Sequence, residues 1–327
     1  MSDQTFAPAV RHSPLAAGHW VQRLLPFLSL IALFVGLSIS SPPFLTGTNL
    51  SSVVRQTAVI NIMALGMTLI IVAGGIDLSV GAILAFAGMV GTKAMESGWG
   101  IPAGLLIGLA GGFAWGLVNG TLIVRLKIAP FIVTLGTLGI IRGVTLLYSG
   151  GLPVVGLPRG FSFLGEGTVL GLPFVLYLLV ACALLTHVIL QYTKLGRYAY
   201  AIGSNRETAV YAGIPVGFHT ASLYAISGML TGLAGMIEAS RLMTGQPTAG
   251  QGYELQVIAA VVIGGGSLSG GEGSVVGTLI GAFIMGLLAN GCDLLGISPY
   301  VQQAVIGAVI ILAVTLDELR KRRFSRQ

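Results

Sequence analysis

Apolar residues in this chain come in long unbroken blocks, not in the strict alternation of strands. Ten blocks stand out, at roughly 24–41, 52–73, 79–95, 101–123, 130–149, 172–191, 217–240, 253–268, 274–290 and 299–316. A helix needs about 20 mostly apolar residues to cross a bilayer, so the pattern predicts an all-α integral membrane fold with about ten transmembrane helices. The first block lacks a convincing small-x-small cleavage site and more blocks follow, which predicts an uncleaved first helix and not a signal peptide. The fourth block carries Gly104, Gly108, Gly112, Gly116 and Gly120. Glycine at every fourth position lays a smooth strip along a helix, against which another backbone can pack closely.

Polar residues collect between the blocks, and their sign orders the chain. Arg11 and Arg23 precede the first block; Arg125 and Lys127 follow the fourth; Lys194, Arg197 and Arg206 follow the sixth; Arg320, Lys321, Arg322, Arg323 and Arg326 follow the tenth. With ten crossings all of these fall on one side, and only Arg159 breaks the bias on the other. Basic loops stay in the cytoplasm. The expected organisation is a cytoplasmic segment 1–23, a transmembrane domain 24–316 with its longest inner loop at 191–216, and a basic cytoplasmic tail 317–327. Both termini are expected inside.

Composition narrows the class. Only 9% of the 327 residues are charged and 54% are hydrophobic, with a mean hydropathy of +0.90. A soluble domain carries about a quarter charged residues, too many for this chain to match. The isoelectric point near 9.5 reflects inner loops and calls for no nucleic acid. Cys182 and Cys292 lie far apart in or beside apolar runs and read as small buried hydrophobes. The four histidines show no ligand spacing, so neither metal nor cofactor is expected. No G-x-x-x-x-G-K-[ST] occurs. The chain is therefore not expected to hydrolyse ATP, and the Gly-rich "GGGSLSGGEG" reads as a membrane-edge turn.

"IIVAGGIDLSVGAIL" sets one carboxylate, Asp77, between apolar runs. Gly74-Gly75 would end the second helix at the cytoplasmic edge and Asp77 would start the third, accepting backbone N–H groups. A role in gating the inner mouth or in proton relay stays open beside that cap. "VAGGIDLSVGAI" also echoes "GGGSLSGGEGSVVGTLIGA", as the halves of transporters do. Other polar residues lie in or beside the blocks. Arg142 is either paired internally with a carboxylate or lines a path. Asn61, Asn119 and Asn290 are interhelical glue or path wall. Glu238 and Arg241 share a helix face, as a local pair or with Arg241 turned outward near Gln246 and Glu254.

Inside the loop 191–216, "SNRETAVYAG" predicts a short helix. Ser204 or Asn205 caps it, Glu207 stands in its first turn, Gly213 ends it and Pro215 stops the chain. Such a helix at the membrane edge lies on headgroups or on a partner.

Glu207-Thr208-Ala209, followed after three residues by Gly213, resembles the E-A-A-x-x-x-G loop of ABC importer permeases, with Thr208 a departure at the second position. "MALGMTLIIVAGGIDLSVGAILA", "KLGRYAYAIGSN", "QPTAGQGYELQVIAAVVIGGGSLSGGEGSVVGTLIGA" and "NGCDLLGIS" resemble the monosaccharide branch of that family, nearest to its ribose members, from about Asn49 to Asp317. Gln256 and Glu272 depart from that pattern. The resemblance implies ABC importer permease architecture in a bacterial inner membrane. It implies a second copy of the chain, a separate ABC ATPase subunit and a periplasmic sugar-binding protein as partners. Gly203, Ser204, Asn205, Arg206, Glu207, Thr208, Ala209 and Gly213 would couple to the ATPase. Asn61, Asp77, Arg142 and Asn290 are then candidates for path or gate, and Arg241, Gln246 and Glu254 for docking the binding protein. An ion-coupled sugar transporter working without an ATPase is the competing reading.

Overall fold

The computed structural model describes residues 15–324. Among them thirteen α-helices run in the order α1 (Leu15–Ser40), α2 (Gly47–Val72), α3 (Val80–Glu96), α4 (Gly100–Leu126), α5 (Pro130–Ser149), α6 (Phe163–Glu166), α7 (Phe174–Tyr192), α8 (Lys194–Ser204), α9 (Arg206–Tyr211), α10 (Val216–Leu242), α11 (Tyr253–Ile263), α12 (Val275–Leu294) and α13 (Pro299–Phe324), with a short 3-10 turn at Arg159–Ser162 ahead of α6. A hairpin of β1 (Thr168–Val169) and β2 (Leu172–Pro173) links α6 to α7. Boundaries follow local chemistry. Thr46 caps α2 by accepting the Asn49 N–H, Ser274 caps α12 by accepting the Gly277 N–H, and Pro130 opens α5.

Each of the ten apolar blocks coincides with a helix, but the helices are unequal. Among the described residues six are long and apolar enough to cross a membrane: α2, α4, α5, α7, α10 and α12. At about 1.5 Å per residue, α3 reaches about 26 Å and α11 about 16 Å, against a hydrocarbon core about 30 Å thick. The block at 253–268 is thus a shorter helix than its hydropathy predicts, because the run continues into Gly264–Gly266, whose N–H groups close the helix end on the Ala260, Val262 and Val261 carbonyls with Gly265 at φ +89. Arg11 and Arg326 of the expected cytoplasmic ends lie outside the described residues.

α2 and α10 form the centre, with 83% and 72% of their most apolar stretches buried, against 22% for α4. They pack on each other. α2 also packs on α11 and α12, and α10 on α3 and α4; α5 lies on α3 as α13 lies on α11. The units α2–α5 and α10–α13 therefore repeat one packing scheme. That scheme is not the sequence echo. It pairs the turn 73–79 with 243–252, whereas the echoing turns 73–79 and 264–274 are neighbours in space, with the Gly271 N–H donating to the Val72 carbonyl at 2.9 Å.

The α4–α10 crossing explains the glycine strip. A methyl on Gly112 would overlap the Gly228 carbonyl oxygen, one on Gly116 the Tyr224 carbonyl oxygen, and one on Gly120 would stand 2.6 Å from the Ala221 Cα. Outside this centre the polarity is inverted relative to a soluble protein. Leu106, Ile132, Leu147 and Leu184 are exposed, while Asn61, Thr68, Asp77, Ser79, Asn119 and Thr231 are buried. Lipid as solvent rewards that arrangement.

Candidate functional site: a capped helix at one end and a buried polar centre

α8 and α9 stand at the end of the bundle where α2 ends and α12 begins. The hinge between them is Asn205. Its N–H donates to the Ala201 carbonyl (3.1 Å), closing α8, and its Oδ1 accepts from the Thr208 N–H (2.9 Å), opening α9. Of the two expected caps, Ser204 belongs to α8 and Asn205 does the capping. At the other end the Ile214 N–H donates to the Ala209 carbonyl (3.1 Å), with Gly213 at φ +76. That closure wants a left-handed residue, which glycine adopts without strain.

Burial divides α9 into two faces. Ala209 is buried and packs with Ile202 and Val216, so it anchors the helix and is not part of its outer surface. Arg206, Glu207 and Thr208 are exposed. So are Val210 and Tyr211, the latter at 89%. These last two were missed from sequence. Their signal is an apolar pair beside Glu207 on a helix whose buried face is already taken by Ala209. Behind α9, the Tyr200 hydroxyl donates to the Gly273 carbonyl (2.8 Å), and burial pushes its phenol pKa above the ordinary range.

Asp77 is not at an exposed edge. It is fully buried in the turn between α2 and α3, level with Asn119 and Tyr224, both well inside their helices. Its Oδ1 accepts from the Ser79 N–H (2.8 Å) and the Ser79 hydroxyl (2.6 Å). The Asn119 amide donates to the Ser79 oxygen (2.8 Å) and reaches Asp77 Oδ2 at 3.5 Å. The neighbouring Ile76 carbonyl accepts from the Tyr224 hydroxyl (3.2 Å) and the Thr134 hydroxyl (3.3 Å). One turn is thereby tied to α4, α5 and α10. Among the described residues no basic side chain pairs with Asp77.

The other candidates are dispersed. Arg142 donates from Nη1 to the carbonyls of Pro247 (3.0 Å) and Ala249 (2.9 Å), so its partners are backbone oxygens, and of the two readings from sequence the pairing with a carboxylate is not seen among the described residues. It pins the loop 243–252, which the Val154–Gly245 bridge holds from the other side. Asn290 pairs with Asn49 at 2.9 Å, as glue between α12 and α2. Asn61 donates to the Thr57 carbonyl of its own helix at 3.0 Å. Arg241 forms the local pair with Glu238, at 3.0 Å and with a second contact through Nε at 3.2 Å. Gln246 is exposed. Glu254 turns inward, its Oε2 2.7 Å from where a Gly81 side chain would start.

The Arg142 clamp has a measurable consequence. Hydrogen bonds to a charged donor are worth about 1.5–3 kcal/mol each. Arg142→Met keeps the stem and removes both, so we expect thermal stability of the purified protein to fall by about 3–6 kcal/mol and protease to cut first within 243–252. An unchanged melting temperature would show that the clamp is slack.

An inside-out helical bundle with several helices long and apolar enough to cross a bilayer defines a multi-pass membrane protein. The chain belongs to the family described as branched-chain amino acid transport system / permease component, whose model matches residues 49–314. It is 46% identical to the ribose import permease protein RbsC of Bacillus subtilis over 299 residues, covering 91% of this chain and 93% of that one. It is 42% identical to RbsC of Escherichia coli K12, covering 92% and 95%. The D-allose transport system permease protein AlsC of the same organism is 39% identical, covering 89% and 90%. No solved structure matches the chain.

Proposed function

We propose that this chain is the membrane permease subunit of an ATP-driven importer for ribose or a closely related monosaccharide. The supporting observation is α9. It is a helix capped at both ends, anchored through Ala209, presenting Glu207, Val210 and Tyr211 outward, in a chain 46% identical to a ribose import permease. An exposed tyrosine beside a charge suits a protein partner. In this reading the partner is a separate ATPase subunit, which carries out the hydrolysis. Two copies of the chain form the path in a bacterial inner membrane. A periplasmic binding protein delivers the sugar to the opposite end, and ATP-driven closure pulls both α9 helices so that the path opens to one side at a time. In this reading the chain makes ten membrane segments, the short α3 and α11 among them, with both termini cytoplasmic, which the one-sided placement of Arg125, Lys127, Lys194, Arg197 and Arg206 supports. Sugar specificity resides in the binding protein.

Ion-coupled transport without an ATPase is the second reading, and the buried Asp77 favours it. Sugar uptake by proteoliposomes, with and without co-purified ATPase and ATP, separates the two. We expect uptake only with both. Glu207→Arg reverses the charge at a helix start, and Gly213→Trp places a bulky side chain at φ +76. Each should lower uptake more than about tenfold while membrane insertion is retained. Normal uptake and normal ATPase co-purification in both variants would remove α9 from the coupling role.

A further inference from the structure

Ala199, Leu195 and Tyr200 of α8 pack their side chains on the core, but its last turn meets the bundle through backbone. Its last turn, at Gly203 and Ser204, sits between two turns that lie far apart in sequence: 73–79, which leads from α2 into α3, and 264–274, which joins α11 to α12. A methyl on Gly203 would overlap the Val72 carbonyl oxygen and stand 2.5 Å from the Gly271 nitrogen. One on Gly270, at φ +87, would stand 2.7 Å from the Gly203 oxygen and 2.8 Å from the Gly74 Cα. Gly271, at φ +77, faces the Ser204 backbone. Two hydrogen bonds close the contact. The Gly271 N–H donates to the Val72 carbonyl at 2.9 Å, satisfying an oxygen that the end of α2 leaves without a helical partner. The Tyr200 hydroxyl, one turn earlier on α8, donates to the Gly273 carbonyl at 2.8 Å.

We infer that Gly74, Gly203, Gly270 and Gly271 form a joint without side chains, which passes a displacement of α9 to both turns at once. The inference rests on the ATPase-coupling reading above. Side chains between moving elements can absorb a shift by changing rotamer, whereas backbone in van der Waals contact cannot yield without one segment moving. α8 and α9 move together because Asn205 closes one and opens the other, and Ile202 of α8 packs on Ala209 of α9. Beyond the joint, one turn carries Asp77 into α3 and the other carries the end of α11 into the start of α12. The far ends of this arrangement also meet, since Gly81 at the start of α3 touches Gly250 just ahead of α11. The joint therefore addresses both short helices of the repeated scheme from a single point. It makes Gly203 a positioning residue and not an ATPase contact.

The test uses the complete transporter in proteoliposomes, with its ATPase and sugar-binding protein. It reads ATP hydrolysed per sugar accumulated. Gly203→Ala wedges the joint, Tyr200→Phe removes one hydrogen bond while keeping the ring, and Gly139→Ala, where a methyl meets nothing within 4 Å, is the control. In Gly203→Ala protein that elutes as folded transporter, we expect ATPase binding and ATP hydrolysis within about twofold of wild type while uptake falls about tenfold, and Tyr200→Phe alone decides the test where the backbone clash prevents folding. Tyr200→Phe should raise the ATP cost per sugar about two- to threefold with an unchanged melting temperature. Gly139→Ala should match wild type. An unchanged ratio in both joint variants overturns the inference, and so does loss of hydrolysis and uptake in equal proportion. If the wild-type chain imports sugar without any ATPase, it is the coupling reading that fails, before any variant is made.

Discussion

Gly116→Leu should yield no folded permease. The Cβ alone would overlap the Tyr224 carbonyl oxygen and stand 3.1 Å from the Ala225 Cα. These are backbone atoms of a buried helix, so no rotamer change relieves the clash. α4 and α10 would have to separate along the whole contact from Gly108 to Gly120, because both are unbroken helices of 27 residues. Overpacking a core typically costs about 1–3 kcal/mol and more where nothing can move. Total stabilities are only about 5–15 kcal/mol. Close backbone approach is also what holds helices together in lipid, where no hydrophobic force acts between them. The measurement is monodisperse elution of a fluorescent fusion in detergent. Gly136→Leu, on α5 in open space, should elute as wild type. A sharp wild-type peak for Gly116→Leu would show that the crossing tolerates a wider gap.

Asp77 separates acceptor from charge. Asp77→Asn keeps a side-chain oxygen where Oδ1 accepts from the Ser79 N–H and hydroxyl, and we expect most uptake and most thermal stability to remain. Asp77→Leu strands both Ser79 donors and one bond of Asn119 in a site with no exposure. Each buried polar group left unpaired costs about 1–3 kcal/mol, so folded protein and uptake should be lost together. A folded Asp77→Asn transporter with uptake down tenfold or more, on the order of 1.4 kcal/mol in rate, would mean that the charge itself works. Hydrolysis of ATP without binding protein would point to a gate held shut by it. Uptake that persists without ATP in wild type and vanishes in Asp77→Asn would point to ion coupling.

Much of the site was legible because it is local. Asn205 capping, Glu207 in a first turn and Gly213 at the close of α9 are relations within a few residues, set by helix-end chemistry that one segment carries. The pair Glu238–Arg241 is equally local, three residues apart on one face. Where reading failed, the partner came from elsewhere in the chain. Arg142 was read as paired with a carboxylate or lining a path, and the loop at Pro247 and Ala249 supplies a third arrangement, with carbonyls that satisfy the same donors. Val210 and Tyr211 look like ordinary apolar residues until Ala209 is seen to occupy the buried face.

The sequence by itself determined the class of molecule, since apolar blocks with so few charges have no stable fold in water. It also set the helical segments and the glycine face of α4, because hydropathy and small-residue spacing are properties of a single stretch. Only the tertiary structure decided where the short helices end, how deep Asp77 lies and what the second glycine cluster does. Hydropathy runs on through Gly264 to Leu268. The helix stops at Ile263, and its C-cap Gly264 lies so close to Gly277 of α12 that a side chain there would strike the Gly277 carbonyl. Asp77 reads as a helix start at a surface, but α4 and α10 close over it with Asn119 and Tyr224. Gly74, Gly203 and Gly270 are separated by 129 and 67 positions in the chain, and their contact exists only because three backbones, each without a side chain at that point, are brought to the same place.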